Sequence, residues 1–205
     1  MRLTTWNSCG LKVYINDETG QYSIKNLSLL AEAIHKNHIV CIQESRLTDR
    51  AEYIIKKRWK AHFTPNQNTN GLGLGFIYNN KLENVKFGHS LDNTIAHITY
   101  TLNNYQYLLI NTHLHPGSET NKKINHLREM NDVIDTLIQN NPNALLLIAG
   151  DINIALDEPD RASEALCGIL EKYGLIDIYR RINPNIKKHP FFTQVPFKRQ
   201  TGRPK

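Results

Sequence analysis

The 205-residue sequence predicts an α/β or α+β fold built around a mixed sheet, and three observations carry that expectation. Segments with apolar residues at helical spacing alternate with short apolar runs of strand length. Two of the runs, Thr94 to Leu102 and Tyr105 to Thr112, are separated only by Asn103-Asn104, a two-residue link that suits an antiparallel hairpin. Several runs also stop abruptly at a polar residue, which places that side chain at the rim of a sheet.

Taken in order, Leu3 to Trp6 reads as a short strand ending in the polar turn Asn7-Ser8-Cys9-Gly10. Asp17 to Gln21 contains Thr-Gly and reads as a loop. Leu27, Leu30, Ala31 and Ile34 recur at helical spacing, so a helix ends near His35 to Asn37. Ile39 to Ile42 is a buried strand with Gln43-Glu44-Ser45 at its tip. Tyr53, Ile54 and Lys56-Lys57-Arg58 predict another short helix before Trp59. The polar stretch from Asn66 to Asn70 precedes Gly71-Leu-Gly-Leu-Gly-Phe-Ile-Tyr78. Phosphate-binding glycine loops follow a strand and open a helix. These glycines lead into a strand instead, which excludes that reading and predicts close backbone packing.

The hairpin's second arm ends in His113-Leu-His-Pro116. Ile124, Leu127, Met130, Val133 or Ile134, and Leu137 form the apolar stripe of a helix from Asn121 to Gln139, stopped by Asn140-Asn141-Pro142. Leu145-Leu-Leu-Ile-Ala-Gly-Asp-Ile-Asn153 follows, with an apolar run long enough for a buried strand. Ala162 to Tyr173 is a further helix with Gly174 in the C′ position. Leu175-Ile-Asp-Ile-Tyr179 then runs into a basic, proline-containing tail.

The length suits one domain spanning residues 1–205 with a sizeable core. Hydrophobic content of 40%, charged content of 21% and a net charge of +6 describe an ordinary soluble chain with a bias toward polyanionic partners. The three cysteines, Cys9, Cys41 and Cys167, are far apart and form neither a zinc knuckle nor a disulfide framework, which points to a reducing compartment. No apolar signal core opens the chain and no run reaches membrane-spanning length. The expected location is therefore intracellular, nuclear or cytoplasmic, not secreted, and without a membrane partner.

Five rim positions carry chemistry. Asp151 and Asn153 are two residues apart, so they share a side if the extended conformation continues. Gly150 removes bulk where a ligand would approach the backbone. An acceptor-only Asp beside an Asn that donates and accepts suits a hydrated divalent cation and a phosphate oxygen. An Asx-rich turn explains the same residues. Glu44 and Asn7 bring a second carboxylate and a further amide to strand ends, and His113 adds an imidazole. His113-Leu-His115 could alternatively begin a zinc site, but that needs further His or Asp ligands at other strand tips.

Thr5-Trp6-Asn7-Ser8-Cys9-Gly10-Leu11, Ile42-Gln43-Glu44, Asn111-Thr112-His113 and Gly150-Asp151-Ile152-Asn153 together resemble the endonuclease/exonuclease/phosphatase superfamily, the DNase I-like fold. Within it the chain is similar to the endonuclease domains of LINE-type retrotransposons. Asp160-Arg161, Leu175 to Arg180 followed by Asn183-Pro184, and Phe191-Phe192-Thr193 carry that finer likeness. The resemblance implies a four-layer α/β/β/α sandwich and magnesium-dependent nicking of DNA, with manganese as an alternative ion. It implies Glu44 and Asn7 as metal-site residues, with Asp151 orienting or deprotonating the attacking water. His113 and Asn153 are implied as donors to the phosphate. A reverse-transcriptase region in a longer parent protein is the partner it implies.

The superfamily pattern continues with Ser-x-Ile-Asp-Tyr and closes with Ser-Asp-His, and neither motif occurs here. The expectation is an incomplete domain lacking its last strands, with reduced or no hydrolysis alone. A non-catalytic nucleic-acid-binding remnant and a phosphatase or phosphodiesterase of the same superfamily are the alternatives.

Overall fold

A computed structural model describes residues 1–11, 13–15, 22–24, 27–65, 73–156 and 160–182. The predicted loops Asp17 to Gln21 and Asn66 to Asn70, and the motifs Asn183-Pro184 and Phe191-Phe192-Thr193, lie outside the described residues. The chain divides into two compact units, Met1–Asn153 and Ile154–Lys205.

The first unit contains β1 (Leu3–Asn7), β2 (Val13–Ile15), β3 (Tyr22–Ile24), α1 (Leu27–Lys36), β4 (Ile39–Gln43), α2 (Asp49–Arg58) and β5 (Lys60–Phe63). It continues with β6 (Gly75–Tyr78), β7 (Glu83–His89), β8 (Ile95–Leu102), β9 (Tyr105–His113), α3 (Thr120–Asn140) and β10 (Leu145–Asp151). Two four-stranded sheets run β1-β4-β6-β5 and β10-β9-β8-β7, and β2 and β3 form a separate hairpin. Each large sheet is mixed: β1 is parallel to β4 and β10 to β9, and the remaining pairs are antiparallel. Asn103 and Asn104 both have positive φ, at 52° and 65°, the backbone that a tight two-residue hairpin requires.

Strand alternation sorts the core into layers. Ile39 and Cys41 of β4 meet Ala96, Ile98, Tyr100 and Leu109 of the other sheet in one buried cluster. Val40 and Ile42 point the other way, onto Leu30 and Ile34 of α1 and Ala51 and Ile55 of α2. On β9, Leu109, Asn111 and His113 face the first sheet, while Thr112 faces α3 through His126. The result is the helix–sheet–sheet–helix order of the DNase I-like fold.

Three departures from the sequence reading have physical causes. The run from Leu145 is not fully buried: Leu145 is 51% exposed and the rest of β10 is only partly buried, because among the described residues β10 pairs only with β9. β5 is absent from the sequence reading because Lys60-Ala-His-Phe63 is short and alternates in burial. β7 is a polar edge strand, broken by a register shift between Glu83 and Lys86.

The second unit holds α4 (Arg161–Lys172) and α5 (Ile178–Ile182). Asp160 and Ser163 form a capping box at the start of α4, satisfying backbone N–H groups that the first turn leaves unpaired. At its other end Gly174 takes φ 62°. The Leu175 N–H donates to Leu170 O and the Gly174 N–H to Glu171 O, which is the Schellman closure.

Candidate active site at the carboxy-terminal strand ends

β1, β4 and β10 all point their carboxy-terminal ends the same way, and β9 runs with them. Asn7, Glu44, Asp151 and His113 therefore arrive at one rim. The Asn7 amide ties two carboxylates together: Nδ2 donates to Glu44 Oε1 at 3.0 Å and to Asp151 Oδ2 at 3.2 Å. Asn7 Oδ1 accepts from the Cys9 N–H at 3.2 Å, which fixes the amide's orientation. Glu44 sits just past β4 with φ 50°. An L-residue seldom adopts that backbone, and here it turns the carboxylate out of the strand direction toward the rim.

Arg46 is the residue at this site that sequence reasoning missed. Its Nη2 donates to Glu44 Oε2 at 2.7 Å, and its side chain is 44% exposed against 13% for Glu44. The one available signal was its position two residues past the rim carboxylate. Burial opposes the charge on Glu44, but the Asn7 hydrogen bond and the Arg46 charge outweigh it and hold the carboxyl below its ordinary range.

His113 is 1% exposed and its Nε2 lies 3.5 Å from Glu44 Oε1, too far for a hydrogen bond. Among the described residues neither ring nitrogen has a hydrogen-bond partner. Burial pulls its pKa below the ordinary histidine value, against the attraction of Glu44 and Asp151, so the ring is neutral near pH 7. A buried imidazole with two unsatisfied nitrogens carries an unmet desolvation cost, which a ligand oxygen at the rim would relieve.

A buried polar clamp beneath the rim holds the two sheets in register. Gln43 Nε2 donates to Asn111 Oδ1 at 2.7 Å, and Asn111 Nδ2 donates to the carbonyls of Ile42 and Gly75 at 3.0 Å each. Asn111 is fully buried with both halves of its amide used, a supporting part that the sequence motif contained without revealing.

Two sequence expectations need correction. The strand alternation that would put Asp151 and Asn153 on one side does not continue, because the extended backbone ends at Asp151 and Asn153 takes φ 52°. Asp151 faces Asn7, whereas Asn153 Nδ2 donates to Leu114 O at 2.7 Å. Gly150 does not clear space for a ligand. It has φ 134°, and a Cβ there would fall on the Thr112 backbone, so the glycine allows β9 and β10 to approach each other. His113 and His115 also part company: His115 is exposed, with Nδ1 at 2.7 Å from its neighbour's Pro116 O. Among the described residues no three His, Cys, Asp or Glu side chains converge as a ligand set.

The chain belongs to the endonuclease/exonuclease/phosphatase family, whose sequence pattern matches residues 4–204. Solved structures of similar fold include an AP endonuclease from Archaeoglobus fulgidus, with TM-score 0.64 and 18% identity over 97% of this chain and 80% of that one. The human Nocturnin catalytic domain with bound sulfate anion aligns with TM-score 0.55 and 16% identity over 80% of this chain and 68% of that one. Truncated Caenorhabditis elegans TDP2 aligns with TM-score 0.51 and 18% identity over 67% and 58%. The chain spans 44 to 58% of the three C. elegans TDP2 chains it matches. No curated protein sequence matches it. Among the described residues no helix is long and apolar enough to cross a membrane.

Proposed function

We propose that this chain is a divalent-metal-dependent phosphodiesterase that nicks DNA, of the retroelement endonuclease type. The observation that carries the reading is the cluster of Asn7, Glu44 and Asp151 beside the unsatisfied ring of His113. Hard oxygen donors with only two carboxylates fit magnesium, which keeps several waters and takes the rest of its shell from substrate phosphate. The same set does not fit a three-ligand zinc site. Glu44 and Asn7 would hold the ion, with manganese as an alternative. When bound, it would neutralise charge on the scissile phosphate and on the leaving oxygen.

The remaining steps belong to the chain's own groups. Asp151 Oδ2 accepts from Asn7, leaving Oδ1 to orient the attacking water and take its proton. His113, neutral, donates from one ring nitrogen to a phosphate oxygen. Asn153 has a second amide hydrogen beyond the one given to Leu114 O, and that hydrogen can reach toward phosphate. Arg46 Nη2 donates to Glu44 Oε2, and an ion held by Glu44 would share that carboxylate with the guanidinium.

The net charge of +6 supports a polyanionic substrate, as does a Danio rerio TDP2 solved with a single-stranded DNA product, which shares the fold at TM-score 0.50 and 16% identity. The retroelement type rests on Asp160-Arg161 and on Leu175 to Arg180. Of these, Asp160 also caps α4 and Asp177 pairs with Arg180, so both have local structural work as well. A reverse-transcriptase region in a parent protein is part of the same proposal.

One observation favours a second reading, nucleic-acid binding without hydrolysis: the Arg46 guanidinium already occupies the Glu44 oxygen. Incubation with supercoiled plasmid separates the two. Nicked circles that form with magnesium and not with chelator support the phosphodiesterase. Salt-sensitive retention of DNA with no nicking assigns the binding reading, and neither outcome appearing rejects both.

A further inference from the structure

The rim does not use the basic run Lys56-Lys57-Arg58-Trp59-Lys60, which lies at the other end of the first sheet. β4 pairs with β6 from Ile39↔Tyr78 to Ile42↔Gly75, and Lys60 pairs with Tyr78. Lys60 and Tyr78 are thus level with Ile39, whereas Glu44 follows Gln43 at the far tip. Five residues of strand separate the two places by about 16 Å.

An open cavity of about 380 Å³ lies there, lined by Ile34, Arg58, Trp59, Lys60, Tyr78 and Asn79 among others. Its cations are not alike. Lys56 pairs with Glu52, and Lys57 Nζ sits 4.8 Å above the Tyr53 ring. Arg58 and Lys60 are exposed and have no acidic partner among the described residues. Attraction to the negative end of the α2 dipole accounts for Lys57 and Arg58 in its last turn. It does not account for Lys60, which is in β5, or for a partly buried indole between the two unpaired charges. Trp59 packs against the α1–α2 core cluster and also lines the cavity. The Asn79 amide is at the same mouth, with Nδ2 donating to Asn37 O at 3.3 Å and Oδ1 accepting from the Lys81 N–H at 3.0 Å.

Two unpaired cations about an aromatic ring meet the two requirements of a single nucleic-acid strand, phosphates to neutralise and a base to stack. We propose that this cavity is a second nucleic-acid site, holding single-stranded nucleic acid with its phosphates on Arg58 and Lys60 and one base against Trp59. The site needs neither the metal nor the rim, so it stands apart from the nicking reaction.

The test uses the full chain in chelator, with a labelled oligothymidylate as the probe. The sequence has two tryptophans, Trp6 and Trp59, so Trp6→Phe leaves Trp59 as the only indole reporter. Oligothymidylate should quench that emission at saturation, and Glu44→Gln should leave the quench unchanged. Changing Arg58 and Lys60 together to Ala should weaken binding at least tenfold. It should also lower the log–log salt slope by about 1.4, as expected for two lost contacts to a single strand. Both residues are exposed, so folding of that variant is secure, and circular dichroism checks it. Trp59→Phe should bind within a few-fold, because a phenyl ring still stacks. An unquenched Trp59, or a salt slope that the double change leaves intact, overturns the proposal. Anionic lipid vesicles that compete off the oligothymidylate with equal affinity also overturn it. Failure to nick plasmid, with the quench preserved, would reject the phosphodiesterase reading and leave this one standing.

Discussion

His113 and His126 are both buried on opposite faces of β9, the first borne by β9 itself and the second by α3, but the structure treats them differently. His126 is fully engaged: Nε2 lies 2.7 Å from Thr112 Oγ1, and Nδ1 lies 3.2 Å from Thr94 Oγ1. Thr94 in turn donates to Asp92 at 2.8 Å. With the Thr94 hydrogen committed to Asp92, Thr94 Oγ1 can accept from Nδ1–H, and the Thr112 hydroxyl then serves Nε2 at 2.7 Å in preference to Thr94 O at 3.3 Å. His113, one residue further along β9 than Thr112, has no hydrogen-bond partner on either nitrogen among the described residues. A polar group that is buried and satisfied stabilises a fold. One that is buried and unsatisfied costs stability, and persists where something else occupies it during function.

The largest effect that would break this contrast falls on the rim. Asp151→Asn should lower the magnesium-dependent nicking rate by about 10²- to 10⁴-fold, the range for removing a general base, with little change in melting temperature. An unaltered rate under single-turnover conditions would remove Asp151 from the mechanism. The histidines come next and should separate cleanly. His113→Gln should slow nicking by about 10²-fold or more while barely altering the denaturant midpoint. His126→Ala should do the reverse. It leaves Thr112 and Thr94 without their partner and opens a cavity, costing about 2–4 kcal/mol, with the nicking rate held near wild type below the transition. Urea denaturation and plasmid nicking on the same preparations test both.

The smallest effect is on pH dependence. Burial pulls both histidines below the ordinary value, in each case against a nearby carboxylate. In the unfolded chain each takes up its proton near about pH 6.5, and in the folded chain only at lower pH. The unfolded state therefore binds more protons as pH falls below about 6.5, and stability is lost in that direction. Urea midpoints should fall from pH 7.5 to pH 5.5, and more shallowly in His126→Ala. Equal slopes would mean that His126 does not titrate in this way.

Much of this arrangement was legible in the sequence, and what was not has a physical reason. The apolar runs of β4 and β9 and the stripe of α3 are periodic enough to read directly, and the asparagine pair between β8 and β9 announces its turn. β7 was not legible because an edge strand with a bulge and a polar face carries no alternation. The rim could be read residue by residue because strand ends place their own polar residues. The pairing of Asn7 with both Glu44 and Asp151 could not, because it depends on sheet order across 144 positions. Gly150 was legible as special but not as to why: the close approach to Thr112 belongs to the neighbouring strand. The placing of Asn153 was not legible for a related reason, since its positive φ ends the alternation that spacing assumes.

Magnesium-dependent phosphodiester hydrolysis by the Asn7–Glu44–Asp151 cluster is the function proposed above. The most direct measurement is the single-turnover nicking rate of supercoiled plasmid across a magnesium titration, wild type beside Glu44→Gln, with melting temperatures recorded for both. Nicking that saturates with magnesium in the wild type, and is lost in an equally stable Glu44→Gln, is the expected result. A Glu44→Gln protein that nicks at the wild-type rate with the same magnesium dependence would contradict the claim.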